Sequence, residues 1–371
     1  MKKHIKHTKH TSLIMPYRGV YGRREWTFIG APCNIIHAYC KGLISKYSQY
    51  KIAFIDAAHQ SDDQRKVNSS LNYVDNISHH TLEWEGSFDT YKAHSVHNEE
   101  DIVLVNGNHF KGKNQVIFIH PKKKASLQKK LDRLDSVYLF ILCEGEEKIW
   151  DFLEADHGDV PVLKLEDRDG QQIFFAKQFA STVAPLCGLA MVGGGSTRMG
   201  EDKSQLDYHG LPQKEYVKKI MSAHVDKVFV SDAKSSEKSD EILVDTFTGL
   251  GPFGGILSAF REHPETAFLV LACDLPLVNE EAVQYLISKR NPAKLATTFL
   301  NPQTGFADPL FTIWEPKSYM VLLQFLAQGY ACPRKVLINS DVELLELPNE
   351  NWLRNANTPE ERKEIESMIN N

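Results

Sequence analysis

Along the chain, short runs of consecutive apolar residues alternate with stretches whose apolar positions recur at helical spacing. The first kind fits strands buried on both faces, the second amphipathic helices, so the pattern predicts a mostly parallel sheet with helices packed against it. In the first half, EWTFI (Glu25–Ile29) reads as a buried strand followed by a Gly30-Ala31-Pro32 turn. Residues 34–47 have helical spacing, with Ile35, Ile36, Tyr39, Leu43 and Ile44 facing inward. KIAFI, at 51–55, predicts the next strand and ends in Asp56. A polar stretch bearing His59 then runs to about residue 100. DIVLVNG, NQVIFIH and SVYLFILC read as strands, PVLKL as a strand closing this half, and residues 171–182 as a short helix leading to a joint near Ala184 and Pro185.

The alternation restarts in the second half. LCGLAMV is a strand, residues 212–224 a helix, DKVFVSD a strand, and another short strand ends at Asp245. A helix over 255–263, the strongly apolar strand TAFLVLACD, a helix over 280–289 and the strand LATTFL follow. No fixed-period repeat interrupts this order. The reading is two α/β domains, residues 21–182 and 185–371, preceded by a basic, His-rich tail over residues 1–20.

Composition narrows the classes. The 371 residues are 42% hydrophobic and 25% charged, as in ordinary globular chains, with enough apolar material for two cores. Lys and Arg number 43 against 48 Asp and Glu, a net charge of -5, which argues against nucleic acid as a partner. No apolar run approaches the ~20 residues of a membrane span. The opening MKKHIKHTKHTSLIMPYRG has positive charge but not the apolar core of a secretion signal, so a cytoplasmic location is expected. Six scattered cysteines without a Cys-x-x-Cys pair read as reduced thiols, not as a zinc site or a disulfide framework. His4, His7 and His10 are spaced by three, but the expectation there is a solvated terminus.

The chemistry concentrates in the second half. After the strand that ends in Met191 and Val192 come Gly193, Gly194 and Gly195, then Ser196-Thr197-Arg198-Met199-Gly200-Glu201-Asp202-Lys203. Glycines let a backbone approach a ligand closely and aim N–H groups at phosphate oxygens. Arg198 adds a planar cationic fork and Lys203 a mobile point charge. The loop suits a nucleoside triphosphate, yet it lacks the Gly-Lys-Ser/Thr ending of a Walker loop. Asp274, in Leu271-Ala272-Cys273-Asp274-Leu275-Pro276, falls just past a buried strand, where open α/β sheets bind ligands. It can hold Mg²⁺ against a triphosphate; the competing role is capping a helix that starts near Asn279. Asp245 precedes the glycine-rich bend Gly249-Leu250-Gly251-Pro252-Phe253-Gly254-Gly255, where a flat base can lie against backbone while Asp245 accepts from its edge; an ordinary loop is the equal alternative. Finally, Thr358, Pro359 and Glu361 spell an N-cap, a proline at N1 and a Glu at N3, with Asn355 and Asn357 placed just before, candidates for a position near metal or substrate.

Together these elements resemble the molybdenum cofactor guanylyltransferase family over residues 186–362. The family loop Leu-Ala-Gly-Gly-x-x-x-Arg-Met-Gly-x-Asp-Lys is matched at 191–203, its Gly-Pro-Leu-x-Gly at 251–255, its Cys-Asp-x-Pro at 273–276 and its Asn-x-Asn-Thr-Pro-Glu at 355–360. The resemblance implies a Rossmann-like nucleotidyltransferase fold in which Mg²⁺, GTP and molybdopterin give the guanine dinucleotide and pyrophosphate. It implies Asp274 as metal ligand, Arg198 and Lys203 as triphosphate ligands, Asp245 as guanine ligand, and nucleotide contacts along Met191, Val192, Gly193, Gly194, Gly195 and Ser231. Met191 and Val192 replace the family's Leu-Ala, and Ser231 stands where an Asn is often found, departures that bear on base selectivity.

The first half is similar, over residues 26–165, to the P-loop adaptor family of molybdopterin guanine dinucleotide biosynthesis. Its phosphate-loop position reads Gly30-Ala31-Pro32-Cys33-Asn34-Ile35-Ile36-His37, without Lys and hydroxyl, and Asn106 replaces a Glu. A fused adaptor domain with a degenerate P-loop and an unrelated α/β module are the two readings. Two other functions remain open beside guanylyl transfer: a cytidylyl- or sugar-nucleotidyltransferase, and a non-catalytic carrier that presents the cofactor. Molybdoenzyme apoproteins and cofactor-biosynthesis proteins are the protein partners that fit.

Overall fold

The computed structural model describes residues 20–57, 71–75, 78–84, 90–181, 183–192, 203–232, 239–356 and 358–370. The chain divides into two compact units, residues 1–182 and 183–371. The His-rich tail, His59, Gly193, Gly194, Gly195, Arg198 and Asn357 lie outside the described residues.

The first unit contains β1 (Glu25–Ile29), α1 (Cys33–Lys46), β2 (Ile52–Ile55), β3 (Leu71–Asp75), β4 (His80–Trp84), α2 (Thr90–Val96), β5 (Ile102–Asn106), β6 (Gln115–Ile119), α3 (Lys124–Gln128), β7 (Val137–Leu142), α4 (Asp151–His157), β8 (Val162–Lys164) and α5 (Arg168–Ala180). Six strands form a parallel sheet in the order β2-β5-β1-β6-β7-β8. Its strands are apolar at nearly every position because helices cover both faces. Phe28, Leu104, Val116 and Phe118 pack with Ile36 and Cys40 of α1 and Phe175 and Phe179 of α5 on one face. Ile29, Ile117, Ile119 and Phe140 pack with Leu127 of α3 and Leu153 of α4 on the other. Within the stretch read only as polar, β3 and β4 form an antiparallel hairpin and α2 follows. Leu71, Tyr73 and Leu82 of that hairpin are exposed, so no burial pattern marked it in the sequence.

The second unit contains β9 (Leu186–Met191), α6 (Gln213–Ser222), β10 (Val228–Asp232), β11 (Ile242–Val244), α7 (Pro252–Glu262), β12 (Ala267–Ala272), α8 (Glu280–Ser288), β13 (Ala296–Asn301), β14 (Phe306–Trp314), α9 (Ser318–Ala327), α10 (Pro333–Ile338), β15 (Glu343–Leu345) and α11 (Pro359–Ile369). The sheet order is β11-β10-β9-β12-β14-β13-β15. Strands β9 to β12 are mutually parallel and β14 runs antiparallel to both β12 and β13. Successive residues of β12 point to opposite faces: Leu269 and Leu271 join the cluster with α6 and α8, while Phe268 and Val270 join Ile256, Phe260 and Leu322 of α7 and α9. From β9 the chain passes to β10 and β11 on one side, then returns through α7 to β12 on the other. The strand order therefore reverses between β9 and β12, and the carboxyl ends of strands at such a reversal are where open α/β sheets bind ligands.

Candidate active site

The carboxyl ends of β9, β10, β11 and β12 and the segment before α11 form the walls of the candidate site at this reversal. Cys273 N–H donates to Met191 O at 3.2 Å, continuing the pairing of β12 and β9 one residue beyond the strand and projecting Asp274 from the sheet edge. The Asp274 side chain is buried enough that its Oδ1 has no accessible surface, and that atom has no hydrogen-bond partner among the described residues. Burial pushes its carboxyl above the usual carboxylate value, the nearby Lys203 ammonium pulls it back, and the Asp308 charge raises it further. An orphaned, buried carboxylate oxygen carries a desolvation cost that a bound cation would offset. No group of three His, Cys, Asp or Glu side chains gathers among the described residues. The donor set therefore suits Mg²⁺, which takes one or two carboxylates and completes its shell with phosphate oxygens and water. The capping role weighed for Asp274 falls instead to Asn279, whose Oδ1 accepts from Ala282 N at 3.0 Å at the start of α8.

The second wall gathers Ser231, Asp245, Gly255 and Met191. Ser231 Oγ donates to Asp245 Oδ1 at 2.7 Å. Asp245 N–H donates to Asp232 O and Val192 N–H to Ser231 O, both at 3.4 Å, which ties the ends of β9, β10 and β11 together. A Cβ on Gly255 would stand 2.5 Å from Ser231 Oγ and 2.6 Å from Met191 Cε, so a side chain there would displace the Ser231 hydroxyl and the Met191 thioether. Gly251, at φ +57°, makes the turn into that helix ahead of Pro252 at N1. Asp245 is half-buried, and burial sets its carboxyl above the usual value.

The third wall comes from the C-terminal segment. Ala356 N–H donates to Asp274 O at 3.1 Å, which brings the segment that carries exposed Asn355 to the acid. Behind it Thr358 Oγ accepts from Glu361 N–H, Glu361 Oε2 accepts from Thr358 N–H, and Pro359 opens α11. Ile365 of α11 packs with Ala356, Leu206 and Tyr208, so the segment after Lys203 and the C-terminal helix share one small core.

Two polar residues here had no expected role. Asp308 is buried within β14, its Oδ1 accepting from Leu310 N–H at 2.9 Å and Phe311 N–H at 3.0 Å. Burial pushes its carboxyl up and the Arg334 charge pulls it down. Arg334, in α10, keeps a buried Nε with no partner among the described residues. The available signal was an Asp-Pro pair inside an otherwise apolar run, and a Pro-Arg-Lys sequence after Gly329.

Residues 188–343 match the family described as MobA-like NTP transferase domain. The chain is 32% identical over 186 residues to a molybdenum cofactor biosynthesis bifunctional protein of Synechocystis sp., covering 49% of this chain and 54% of that protein. It thus spans about half the length of that relative. It is 27% identical over 189 residues to a molybdenum cofactor guanylyltransferase of Pseudomonas entomophila, covering 48% of this chain and 98% of that protein. Among solved structures, molybdopterin-guanine dinucleotide biosynthesis protein A from Archaeoglobus fulgidus matches with a TM-score of 0.43 and 23% identity, over 50% of this chain and 98% of that one. Among the described residues, no helix is long and apolar enough to cross a membrane. Within the C-terminal unit, residues 188–343 thus match a MobA-like NTP transferase domain, and the unit is similar in sequence to molybdenum cofactor guanylyltransferases.

Proposed function

We propose that the C-terminal unit transfers GMP from GTP to molybdopterin, forming the guanine dinucleotide and releasing pyrophosphate. The observation that carries this reading is the buried Oδ1 of Asp274, without a hydrogen-bond partner among the described residues, at the strand-order reversal, with the Lys203 charge acting on it. When bound, Mg²⁺ would neutralise triphosphate charge and polarise the α-phosphorus. Asp274 holds the cation. Lys203 and Arg198 compensate the phosphates, and the backbone of Met191, Val192, Gly193, Gly194 and Gly195 lines the nucleotide. Asp245, oriented by Ser231, accepts from the guanine edge. A phosphate oxygen of the pterin attacks the α-phosphorus; the new O–P bond forms as the bond to the pyrophosphate oxygen breaks. The nucleophile is already anionic, so no protein base is needed and catalysis rests on alignment and charge. Asn355 and Asn357 are the candidates for the metal side, and Arg334 is the cation assigned to an anionic acceptor. Pyrophosphate release that requires GTP, Mg²⁺ and molybdopterin together supports this reading; release without the pterin, or none with it, contradicts it. The same names among relatives support molybdopterin as the acceptor.

A further inference from the structure

The first unit holds a constellation that guanylyl transfer does not use. Cys33 Sγ lies 3.2 Å from Nε2 of His109, where the loops after β1 and β5 meet. Cys33 is the first residue of α1, a 14-residue helix whose N-terminus has no side-chain cap. The Cys33 thiol thus sits at the N-terminal, positive end of the helix dipole.

Asn108 braces the pair. Its Nδ2 donates to Ala31 O at 2.7 Å and approaches Cys33 Sγ at 3.5 Å, while Lys130 Nζ donates to its main-chain oxygen at 2.7 Å. Burial lowers the Lys130 ammonium, as do the charges of Arg133 and Lys123, and the Cys33 sulfur raises it. Fully buried Asn106 anchors the second loop: its Nδ2 donates to Asp56 Oδ1 at 2.8 Å, its Oδ1 accepts from Asn108 N–H, and its carbonyl accepts from His109 N–H. Around the thiol the charged or titratable groups are thus His109 and Lys130, with Arg133 and Lys123 beyond, and Asp56 across Asn106. Gly30, at φ +96°, packs its Cα against the Phe118 carbonyl, so the loop that carries Cys33 is held against β6.

The other thiols differ. Cys40, Cys143, Cys187 and Cys273 are buried, and Cys332 is partly exposed like Cys33. Burial pushes the Cys40 and Cys187 thiols up, and that of Cys143 up to about 11.

We propose that Cys33 is a nucleophilic thiol, activated by His109, that exchanges with small-molecule disulfides to form a reversible mixed disulfide. His109 Nε2 takes the Sγ proton. The thiolate attacks one sulfur of the disulfide; an Sγ–S bond forms and the original S–S bond breaks. The departing thiolate receives the proton from the imidazolium. Cys33 is oxidised and the released half of the reagent is reduced, and excess thiol reverses the step.

The test uses the full chain with Cys332→Ser, which removes the other partly exposed thiol, treated with glutathione disulfide. Mass spectrometry should find one added glutathionyl group, mapped to Cys33, removed by thiol and absent from Cys33→Ser. Rates with an aromatic disulfide reagent, followed against pH, should fall by ~10-fold in mild acid for both His109→Phe and His109→Gln, and converge with the parent in alkali, where the thiol ionises unaided. Circular dichroism identifies which of the two variants keeps the fold. Labelling at another cysteine, or identical rates across pH in a folded His109 variant, overturns the proposal.

Discussion

The backbone N–H of Ala356 donates to the carbonyl oxygen of Asp274 at 3.1 Å, fastening the segment before α11 onto the end of β12. The two residues are far apart in sequence, yet this bond brings the segment that carries Asn355 to the residue proposed to hold the metal. An acid at a strand end thereby gains a neighbour from the segment before the last helix, and the capping box of Thr358 and Glu361 fixes where that helix starts.

Asp274→Asn should lose ~10²-fold or more in turnover, the size of effect expected when a charge-stabilising element is removed. The fold should survive. The variant without metal should be about as stable as the parent, because the amide removes the desolvation cost of a buried carboxylate whose Oδ1 has no hydrogen-bond partner among the described residues. Thermal melts with and without Mg²⁺ check this: the parent gains stability on adding the ion and the variant does not. Near-parental turnover at limiting Mg²⁺ would remove Asp274 from the metal site.

Ser231→Ala should weaken GTP binding in acid more than in alkali. Burial raises the Asp245 carboxyl, the Ser231 hydroxyl lowers it, and the Asp232 charge raises it. Without the hydroxyl the carboxyl rises further. A carboxyl raised on folding adds stability below its unfolded value and loses that contribution as pH climbs through its folded value, where it ionises. The ionised form is the one that accepts from a base edge, so KM for GTP in the variant should climb as pH falls and meet the parent in mild alkali. A KM difference constant with pH would disconnect Ser231 from Asp245.

Glu315→Ala should destabilise the second unit by about 3–5 kcal/mol, the cost of leaving one member of a buried ion pair uncompensated. Arg290 Nε and Nη2 donate to the two Glu315 oxygens at 2.7 and 2.9 Å, and Nη2 also donates to Ala184 O. Both side chains are largely buried. Denaturant unfolding of parent and variant measures the difference, and a change below ~1 kcal/mol would place the pair among weak surface bridges.

Titration of the full chain with GTP in Mg²⁺ should saturate at one nucleotide per chain. The loop after β1 presents Pro32, which has no N–H, and then Cys33 and Asn34 where a phosphate loop needs lysine and hydroxyl. Saturation at two would reveal a second nucleotide site that these residues do not account for.

What the sequence made legible follows from how each element advertises itself. TAFLVLACD is an unbroken apolar run ended by an acid, and it became β12 with Asp274 at its edge. EWTFI, the DIVLVNG run and NQVIFIH were equally plain because both faces of the first sheet are covered. β14 went unread: Asp308 and Pro309 interrupt its apolar run, and antiparallel pairing leaves no local mark. α9, SYMVLLQFLA, is apolar on nearly all sides and gives no helical stripe. The gathering of Ser231, Asp245 and Gly255 could be guessed from their order along the chain, but the hydrogen bond between the first two required the register of β10 and β11. The Asp-Pro pair at Asp308 and the Pro-Arg-Lys at Arg334 could not be tied to Asp274 in the sequence, since only the strand order brings β14 beside β12.

Incubating the chain with molybdopterin, Mg²⁺ and each of the four ribonucleoside triphosphates in turn, and identifying the pterin product by mass spectrometry, tests guanylyl transfer most directly. The account predicts the guanine dinucleotide with GTP, formed in step with pyrophosphate, and abolished by Asp274→Asn. Equal or greater dinucleotide formation with CTP, or pterin recovered unchanged with all four, would contradict it.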